Sequence, residues 1–475
     1  MLGTMKRALC VDLDGTLIKT DMLLEGILAL LRSRPLHACM IPFWLLRGKA
    51  TLKSEIAKRV AIEAATLPYR QPLLEHLEKE CASGRRLFLA TASPVEFART
   101  IAEHLGFFSG VVATDGGENL VGREKAKRLC ELFGEKNFDY AGNDRKDLAV
   151  WRCSGEAILV NSSGRMRDQV EASTKVAACF NDRTASIGTY VRALRLHQWI
   201  KNLLIFVPII AIHRVTDLAL LRATLLALFA FSFVASAVYL LNDLLDLPSD
   251  RQHPDKKLRP LASGELPIHH ALFLVPALLG AALGLGFFLS SLFEAVLMGY
   301  FVATVAYSLA LKRLAVLDVI VLAGFYTVRI VAGSVATHIP PSFWLLAFSM
   351  FVFLSLALVK RYSELSLLQR SGSQNAAGRG YGVEDLPLLV NLGCASGYLS
   401  VLVLALYITS ANSHVYYRHP EAIWLLCPIL LFWISWLWLK AHRGQIREDP
   451  IIFALRDPVS GWAALLGVIA VWIAI

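Results

Sequence analysis

Acidic side chains are concentrated where a long apolar run ends, in the sequence NDLLDLPSDR, which we call the acidic segment. Carboxylates are costly at a membrane boundary, and a divalent cation is their usual partner there. In a helix, Asn242, Asp246 and Asp250 would share one stripe, with Asp243 at its edge. Hard oxygen ligands in this pattern suit Mg²⁺, which also binds substrate phosphates. We therefore expect these four residues to form a magnesium–diphosphate site at a membrane surface.

Two features of the neighbouring sequence modify this prediction. Pro248 lies between Asp246 and Asp250, and a helix normally ends before a proline, so Asp250 is expected on a following turn. The basic sequence HPDKKLRP comes next, and its Lys256 and Arg259 are expected to donate to phosphate oxygens.

A second group of candidate catalytic residues lies in the N-terminal third. Asp12 and Asp14 follow a short apolar segment and precede Gly-Thr. On a strand they would share one face, at the carboxyl edge of a sheet, where open α/β folds bind ligands. Two later apolar segments also end in polar side chains. The first ends with Thr91 and Ser93, and the second is followed by Asn143, Asp144 and Asp147. Between them, Lys125 precedes a helical pattern.

The elements that must position these residues differ between the two parts of the chain. Of the 475 residues, 55% are hydrophobic, and the mean hydropathy is +0.51. Residues 1–185 read as a soluble α/β domain, whereas residues 186–475 form an all-α polytopic membrane domain of apolar runs, each near the ~20 residues that span a bilayer. We predict nine transmembrane helices, at 199–215, 218–241, 271–289, 292–311, 316–336, 343–360, 387–409, 421–439 and 458–475.

The distribution of basic residues predicts the orientation. Loops after the second, fourth, sixth and eighth runs hold fourteen lysines and arginines, and the opposite loops hold three. By the positive-inside rule, the chain is a multi-pass inner-membrane protein with its N-terminal domain in the cytoplasm. We attribute most of the net charge of +10 to this bias and to phosphate-binding residues. Nucleic acid is a poor candidate as a partner, because the soluble half shows no continuous basic face with interleaved aromatic residues.

The motifs of the N-terminal domain, in this order, resemble the haloacid dehalogenase superfamily of phosphohydrolases over most of residues 6–165. The resemblance implies a Rossmann-like fold with a small helical cap at about 18–85. It implies that Asp12 is the nucleophile, that Asp14 is the general acid/base, and that Thr91 and Lys125 hold phosphoryl oxygens. The implied Mg²⁺ ligands are Asp12, Asp14, Asn143, Asp144 and Asp147. The family usually has aspartate at the position of Asn143. The amide of Asn143 would bind the metal more weakly than that carboxylate. An unrelated α/β domain and a non-catalytic, regulatory phosphatase fold remain alternatives.

Charged and aromatic residues recur at the ends of the apolar runs. Lys201 enters the first run, Tyr307 and Lys312 end the fourth, and Lys360, Arg361 and Glu364 end the sixth. Arg329 lies inside the fifth run and must face the bundle interior or a polar cavity, where a structural role is as plausible as a ligand role.

The acidic segment, the nine apolar runs and the Tyr307–Lys312 sequence resemble the UbiA superfamily of intramembrane prenyltransferases over nearly all of residues 190–475. Where that superfamily has a second aspartate-rich motif, this chain has Lys360, Arg361 and Glu364. It is thereby similar to the decaprenyl-phosphate phosphoribosyltransferase branch, which joins phosphoribosyl diphosphate to a polyprenyl phosphate. The resemblance implies Mg²⁺ as cofactor, phosphate binding by six basic residues and substrate binding by three others: Lys201, Lys256, Arg259, Lys312, Lys360 and Arg361; Tyr307, Arg329 and Glu364.

These resemblances predict a bifunctional membrane enzyme. The membrane domain would transfer phosphoribose to a polyprenyl phosphate, and the soluble domain would remove the 5-phosphate of the product. Two other functions remain open: a conventional prenyltransferase with a prenyl diphosphate donor and an aromatic or other acceptor, and a membrane-anchored phosphatase whose spans bind or transport a lipid.

Overall fold

A computed structural model describes residues 6–115, 120–182, 185–370, 380–410, 417–447 and 449–475. The chain forms two compact units. The first consists of residues 1–195 and 239–275, and the second of residues 196–238 and 276–475.

The first unit is built on a six-stranded parallel sheet in the order β3-β2-β1-β4-β5-β6. The strands are β1 Ala8–Val11, β2 Leu87–Pro94, β3 Gly110–Thr114, β4 Phe138–Gly142, β5 Glu156–Val160 and β6 Lys175–Phe180. Every residue of β1 is buried, as expected of a central parallel strand covered on both faces. Because β1 pairs in parallel with both β2 and β4, the carboxyl ends of these three strands are neighbours. The prediction of an N-terminal α/β domain is confirmed.

Alternation along β1 divides the core between the two faces of the sheet. Leu9 and Val11 pack in one hydrophobic cluster, and Cys10 packs in another with Tyr140 and Trp151. The helices of this core are α4 Gln71–Ala82, α5 Val95–Leu105, α6 Arg123–Phe133, α7 Leu148–Cys153 and α8 Gly164–Glu171. The next two helices of the chain are α9 Ile187–Leu194 and α10 Val207–Ala211.

A helical insertion between β1 and β2 covers the edge of the sheet where Asp12 lies. It contains α1 Met22–Ser33, a 3-10 helix Pro35–Met40, α2 Ile41–Leu46 and α3 Lys49–Ala57. Asp21 caps α1, since its side chain accepts hydrogen bonds from the first-turn backbone. Leu30, Trp44 and Ile56 from the insertion pack in the same cluster as Leu9, so the insertion shares the core of the sheet.

The first unit also contains the acidic segment. Helix α11 (Leu218–Leu245) ends just before Asp246, and α12 (Leu247–Gln252) begins with Pro248 in its first turn. The break therefore falls where the proline predicts it. Backbone bonds from Asp246 N to Asn242 O (2.8 Å) and from Asp250 N to Asp246 O (2.9 Å) keep these residues one turn apart across the break.

The prediction of nine spans is not confirmed. The described residues contain seven helices of membrane-spanning length and apolarity, or eight with one bent pair: Leu218–Leu245, Ile268–Gly286, Ser291–Leu309, Leu317–Thr337, Phe343–Arg370, Val383–Ile408, Glu421–His442, and Pro450–Arg456 with Pro458–Ala474. The first predicted span is instead the shorter apolar helix Leu196–Ala211, whose first part is a 3-10 helix. The last bends by 82° next to Asp457, which caps the helix starting at Pro458.

One close approach fixes the Leu196–Ala211 helix in the second unit. Gly333, on the helix Leu317–Thr337, lies against the Ile205 backbone, and a Cβ at Gly333 would be 2.1 Å from Ile205 O. Only glycine permits this approach, so the position of the short helix depends on Gly333.

Candidate functional site

The Asp12 carboxylate lies where β1 ends and is held by side chains from distant parts of the sequence. Lys125 Nζ donates to Asp12 Oδ1 at 2.6 Å, and Thr16 Oγ1 lies 3.2 Å from Asp12 Oδ2. The same hydroxyl lies 3.1 Å from Asn143 Oδ1. Gly15 has φ +74°, and a Cβ there would meet the Asn143 amide at 2.4 Å. The turn after Asp12 thus brings Asp12, Lys125 and Asn143 together.

Asp14 joins the end of β2 to the helical insertion. Its Oδ1 accepts a hydrogen bond at 2.8 Å from the backbone N–H of Met22, the first residue of α1. Its Oδ2 accepts from the Ser93 hydroxyl at 2.7 Å. Thr91, which is fully buried, accepts from the Ser93 N–H at 3.0 Å. Asp14, Thr91 and Ser93 therefore form a continuous hydrogen-bonded chain at the strand ends.

The other predicted magnesium ligands of this unit differ in their surroundings. Both oxygens of Asp147 are engaged: Oδ1 accepts from the Tyr140 hydroxyl at 2.9 Å, and Oδ2 accepts from the N–H groups of Asn143 and Asp144 at 3.0 Å. Asp144 is half exposed to solvent. Of these three residues, Asn143 is the one that shares the Thr16 hydroxyl with Asp12, and Asp147 shapes the turn that positions Asn143.

Burial sets the protonation behaviour of this site. It raises the pKa of Asp12 to about 7, against the opposing effect of Lys125, with Asp147 and Asp14 adding to the rise. It also raises the pKa of Asp14. Burial acts to lower the pKa of Lys125, but Asp12 and Asp147 outweigh it and raise that pKa. Lys125 thus keeps its positive charge beside Asp12, and the Asp14 carboxyl group holds a proton more readily than usual. Both properties suit phosphoryl transfer.

Cations surround two carboxylates of the acidic segment. Asp243 and Asp250 are buried, and Arg259 donates to both, at 3.2 and 2.5 Å. Arg195 also donates to Asp243 at 2.5 Å, and Lys256 Nζ lies 4.0 Å from Asp250. The predicted phosphate donors Lys256 and Arg259 thus lie beside the predicted metal ligands. The sequence analysis did not identify Arg195 as a site residue, because an arginine just before the first apolar run is typical of an interfacial anchor.

The donor chemistry of both sites fits Mg²⁺. Among the described ranges, no three His, Cys, Asp or Glu side chains converge closely enough to hold a metal ion by themselves. The neighbouring oxygens are a carboxylate with an amide (Asp12, Asn143) and a carboxylate pair (Asp243, Asp250). Mg²⁺ is commonly held by one or two carboxylates together with water and substrate phosphates. Substrate oxygens would therefore complete either site.

A third cluster forms in the second unit around Asp449. Lys201 Nζ donates to Asp449 Oδ2 at 2.6 Å, and Lys360 Nζ lies 3.4 Å from the same oxygen. The Tyr326 hydroxyl lies 3.4 Å from Asp449, which also caps the helix beginning at Pro450. The structure thus brings the predicted phosphate ligands Lys201 and Lys360 together. Asp449 and Tyr326 were missed; an aspartate directly before a proline was the only local signal.

Arg361 is separated from Lys360 and lies in the interior of the second unit. It is fully buried and pairs with Asp318 Oδ2 at 2.7 Å and with Glu364. The Tyr381 hydroxyl donates to Asp318 at 2.8 Å. Arg361 and Glu364 are therefore neighbours, as their spacing on a helix predicts, but their contacts are with each other and with Asp318.

Arg329 makes structural contacts in the same unit. Its guanidinium donates to Asn202 Oδ1 at 2.7 Å, to the Tyr300 hydroxyl at 3.0 Å and to the Phe325 carbonyl. The Tyr307 ring packs edge-on against Phe325 at 5.6 Å. Lys312 is half-buried in the 3-10 helix Leu311–Arg313. These hydrogen bonds link Arg329 to Asn202 and Tyr300, which lie on two other helices of the same unit.

The helices of membrane length define a multi-pass membrane protein, and its α/β unit carries acidic side chains where the strands end. Residues 203–456 match the UbiA prenyltransferase family, which covers more than half of the chain. The chain belongs to this family.

Three relatives show how the match extends along the chain. "Uncharacterized protein y4nM" of Sinorhizobium fredii is 34% identical over 464 residues, covering 97% of this chain and 90% of that protein. "Nodulation protein NoeC" of Azorhizobium caulinodans is 36% identical, covering 57% of this chain and 87% of that protein. "Decaprenyl-phosphate phosphoribosyltransferase" of Mycolicibacterium smegmatis is 32% identical, covering 58% of this chain and 88% of that protein. The first similarity includes the N-terminal unit.

Proposed function

We propose that this protein transfers phosphoribose from phosphoribosyl diphosphate to a polyprenyl phosphate. The observation that carries the proposal is the cluster of Lys201 and Lys360 around Asp449. Two ammonium groups and one carboxylate leave a net positive site, which suits a phosphate. The 32% identity to a decaprenyl-phosphate phosphoribosyltransferase over 58% of the chain supports the same substrate class.

The proposed reaction exchanges one C–O bond for another. The bond from ribose C1 to the diphosphate oxygen breaks, and a bond from C1 to an oxygen of the lipid phosphate forms, so no protein nucleophile is needed. Asp243 and Asp250, with Asn242 and Asp246, would hold Mg²⁺, which offsets the charge of the departing diphosphate when it is bound. Arg259 and Lys256 lie beside these carboxylates and would donate to diphosphate oxygens.

Transfer to lipid tests this proposal. Membranes containing the protein, incubated with labelled phosphoribosyl diphosphate and polyprenyl phosphate, should place label in the lipid fraction. Asp246→Ala should abolish this, and Asp12→Asn, in the other site, should leave it intact. Label that stays in the aqueous fraction, with turnover of a prenyl diphosphate and an aromatic acceptor instead, would favour the conventional prenyltransferase.

We further propose that the first unit hydrolyses the 5-phosphate of the lipid-linked product. The support is the contact of Asp12 with the buried Lys125 and the raised pKa of Asp14. Asp12 would attack phosphorus, Asp14 would protonate the leaving sugar oxygen, and water would then release phosphate from Asp12. Lys125 would offset the charge that opposes attack by a carboxylate on a phosphoryl group.

Product analysis distinguishes hydrolysis from a regulatory role. The unaltered chain should yield lipid-linked ribose and inorganic phosphate, whereas Asp12→Asn should accumulate lipid-linked phosphoribose. If both chains give the same lipid product, the N-terminal unit is not the phosphatase for it.

A further inference from the structure

The helical insertion of the first unit contains a segment whose apolar side chains face solvent. The segment runs from Leu36 to Leu46. Leu36 is 86% exposed and Leu46 is 87% exposed, and Met40, Phe43 and Leu45 are each nearly half exposed. Five exposed large apolar side chains within eleven residues are typical of an interaction site.

Packing on the opposite side holds the segment in this orientation. Trp44 is buried and belongs to the core cluster of the first unit, and Ile41 packs against that cluster. The Arg59 guanidinium lies 4.8 Å from the Trp44 ring centroid. The outward stripe is therefore a fixed surface of a folded element, because its inner side is anchored in the core.

Basic side chains flank the exposed stripe on both sides. Arg32 and Arg34 precede it, Arg47 and Lys49 follow it, and all four are exposed. The Arg47 guanidinium lies 4.4 Å from the Phe43 ring centroid, so positive charge borders the apolar surface directly. Apolar side chains bordered by arginine and lysine are typical of helices that lie in the interface of an anionic bilayer.

The same unit places this insertion at the end of a membrane-length helix. A cavity of about 430 Å³ is lined by Arg32 and Arg34 and also by Leu244 and Leu245, the last residues of α11. Since α11 is long and apolar enough to span a bilayer, its end lies near a membrane surface. The base of the exposed segment is therefore close to that surface.

We infer that Leu36–Leu46 is a membrane-contacting element, which inserts its apolar stripe into the headgroup region of an anionic bilayer. This interaction is separate from the two proposed reactions and depends on neither. It would hold the insertion, and with it the Asp14–Met22 contact, at the lipid surface.

Two native cysteines provide a matched pair of reporters. Cys39 lies in the segment, Cys179 lies on β6, and both are exposed. In a full-length chain with the four half-buried cysteines changed to alanine, C179S leaves Cys39 for labelling and C39S leaves Cys179. Each protein is labelled with an environment-sensitive fluorophore and reconstituted in nanodiscs of phosphatidylcholine and phosphatidylglycerol.

The label at Cys39 should be shifted to the blue and quenched by lipid-borne nitroxides at least about twofold more than the label at Cys179. The label at Cys179 should be quenched by aqueous iodide. Equal iodide quenching at both positions would overturn the inference, and so would protection of Cys39 from both quenchers, which would indicate cover by protein. Leu46→Cys, at a position that is 87% exposed, repeats the measurement if the first chain folds poorly.

Discussion

At the scale of single residues, Asn143 limits the charge available beside Asp12. Its amide oxygen lies within hydrogen-bonding distance of the hydroxyl that also contacts Asp12. An amide can ligate Mg²⁺, but it adds no negative charge, and hard divalent cations bind more tightly as ligand charge increases.

Asn143→Asp should therefore lower the Mg²⁺ concentration needed for half-maximal phosphatase activity, by about tenfold. The measurement is phosphate release as a function of Mg²⁺, together with Mg²⁺-dependent thermal stabilisation of the chain. Asn137→Asp, which makes the same change at an exposed position just before β4, is the control and should leave the curve unchanged. An unchanged curve for Asn143→Asp would show that this position does not contact the metal.

At the scale of elements, two contacts determine where the site residues lie. Gly333 sets the distance between the short Leu196–Ala211 helix and its neighbour, and the short helix carries Lys201. In the first unit, Arg251 of α12 makes a two-bond ion pair with Glu25 of α1, at 2.6 and 3.2 Å, and both side chains are buried. Each contact holds an element that bears a proposed ligand.

Gly333→Ala should displace the short helix, because the added methyl group would overlap the Ile205 carbonyl. We expect a loss of about 1–3 kcal/mol in stability and a larger loss of transfer to lipid, since Lys201 moves with the helix. Gly324→Ala is a matched control on the same helix, where a Cβ meets no atom within 4 Å. Normal transfer by Gly333→Ala would show that Lys201 need not keep this position.

Arg251→Met should destabilise the first unit by about 3–5 kcal/mol, because it leaves the Glu25 carboxylate buried without its partner. The double change Glu25→Leu with Arg251→Met should recover most of this loss, since it removes both charges. Thermal unfolding measures both. Recovery of transfer by the double variant would show that the pair acts through stability; transfer that stays low would show that the charges also position α12.

At the scale of the whole molecule, the structural features that follow from local sequence pattern could be predicted. The ends of β1, β2 and β4 could be placed together because parallel strands share one carboxyl edge, and the break near Pro248 follows from proline geometry. Asp449 could not be found, because its partner Lys201 is 248 residues away. Nine spans are not confirmed in the described part of the chain, because hydropathy does not register a bend or a short 3-10 helix.

Two singly defective chains test how the proposed reactions are connected. Asp12→Asn and Asp246→Ala chains, mixed in the same vesicles, should together yield lipid-linked ribose, because the intermediate diffuses in the bilayer from one chain to the other. The same chains in separate vesicles should not, since each buried CH₂ of the polyprenyl chain adds about 0.8 kcal/mol to the cost of leaving the membrane. Failure in shared vesicles would indicate that one chain must perform both steps.

The Glu25–Arg251 pair also has a consequence for biosynthesis. Its two residues are 226 positions apart, and the segment between them includes α11, a helix of membrane-spanning length. The six strands are therefore synthesised long before residues 239–275, which complete the first unit. Completion of the first unit therefore has to wait for α11, so a nascent chain that fails to insert this helix would also lack the Glu25–Arg251 pair.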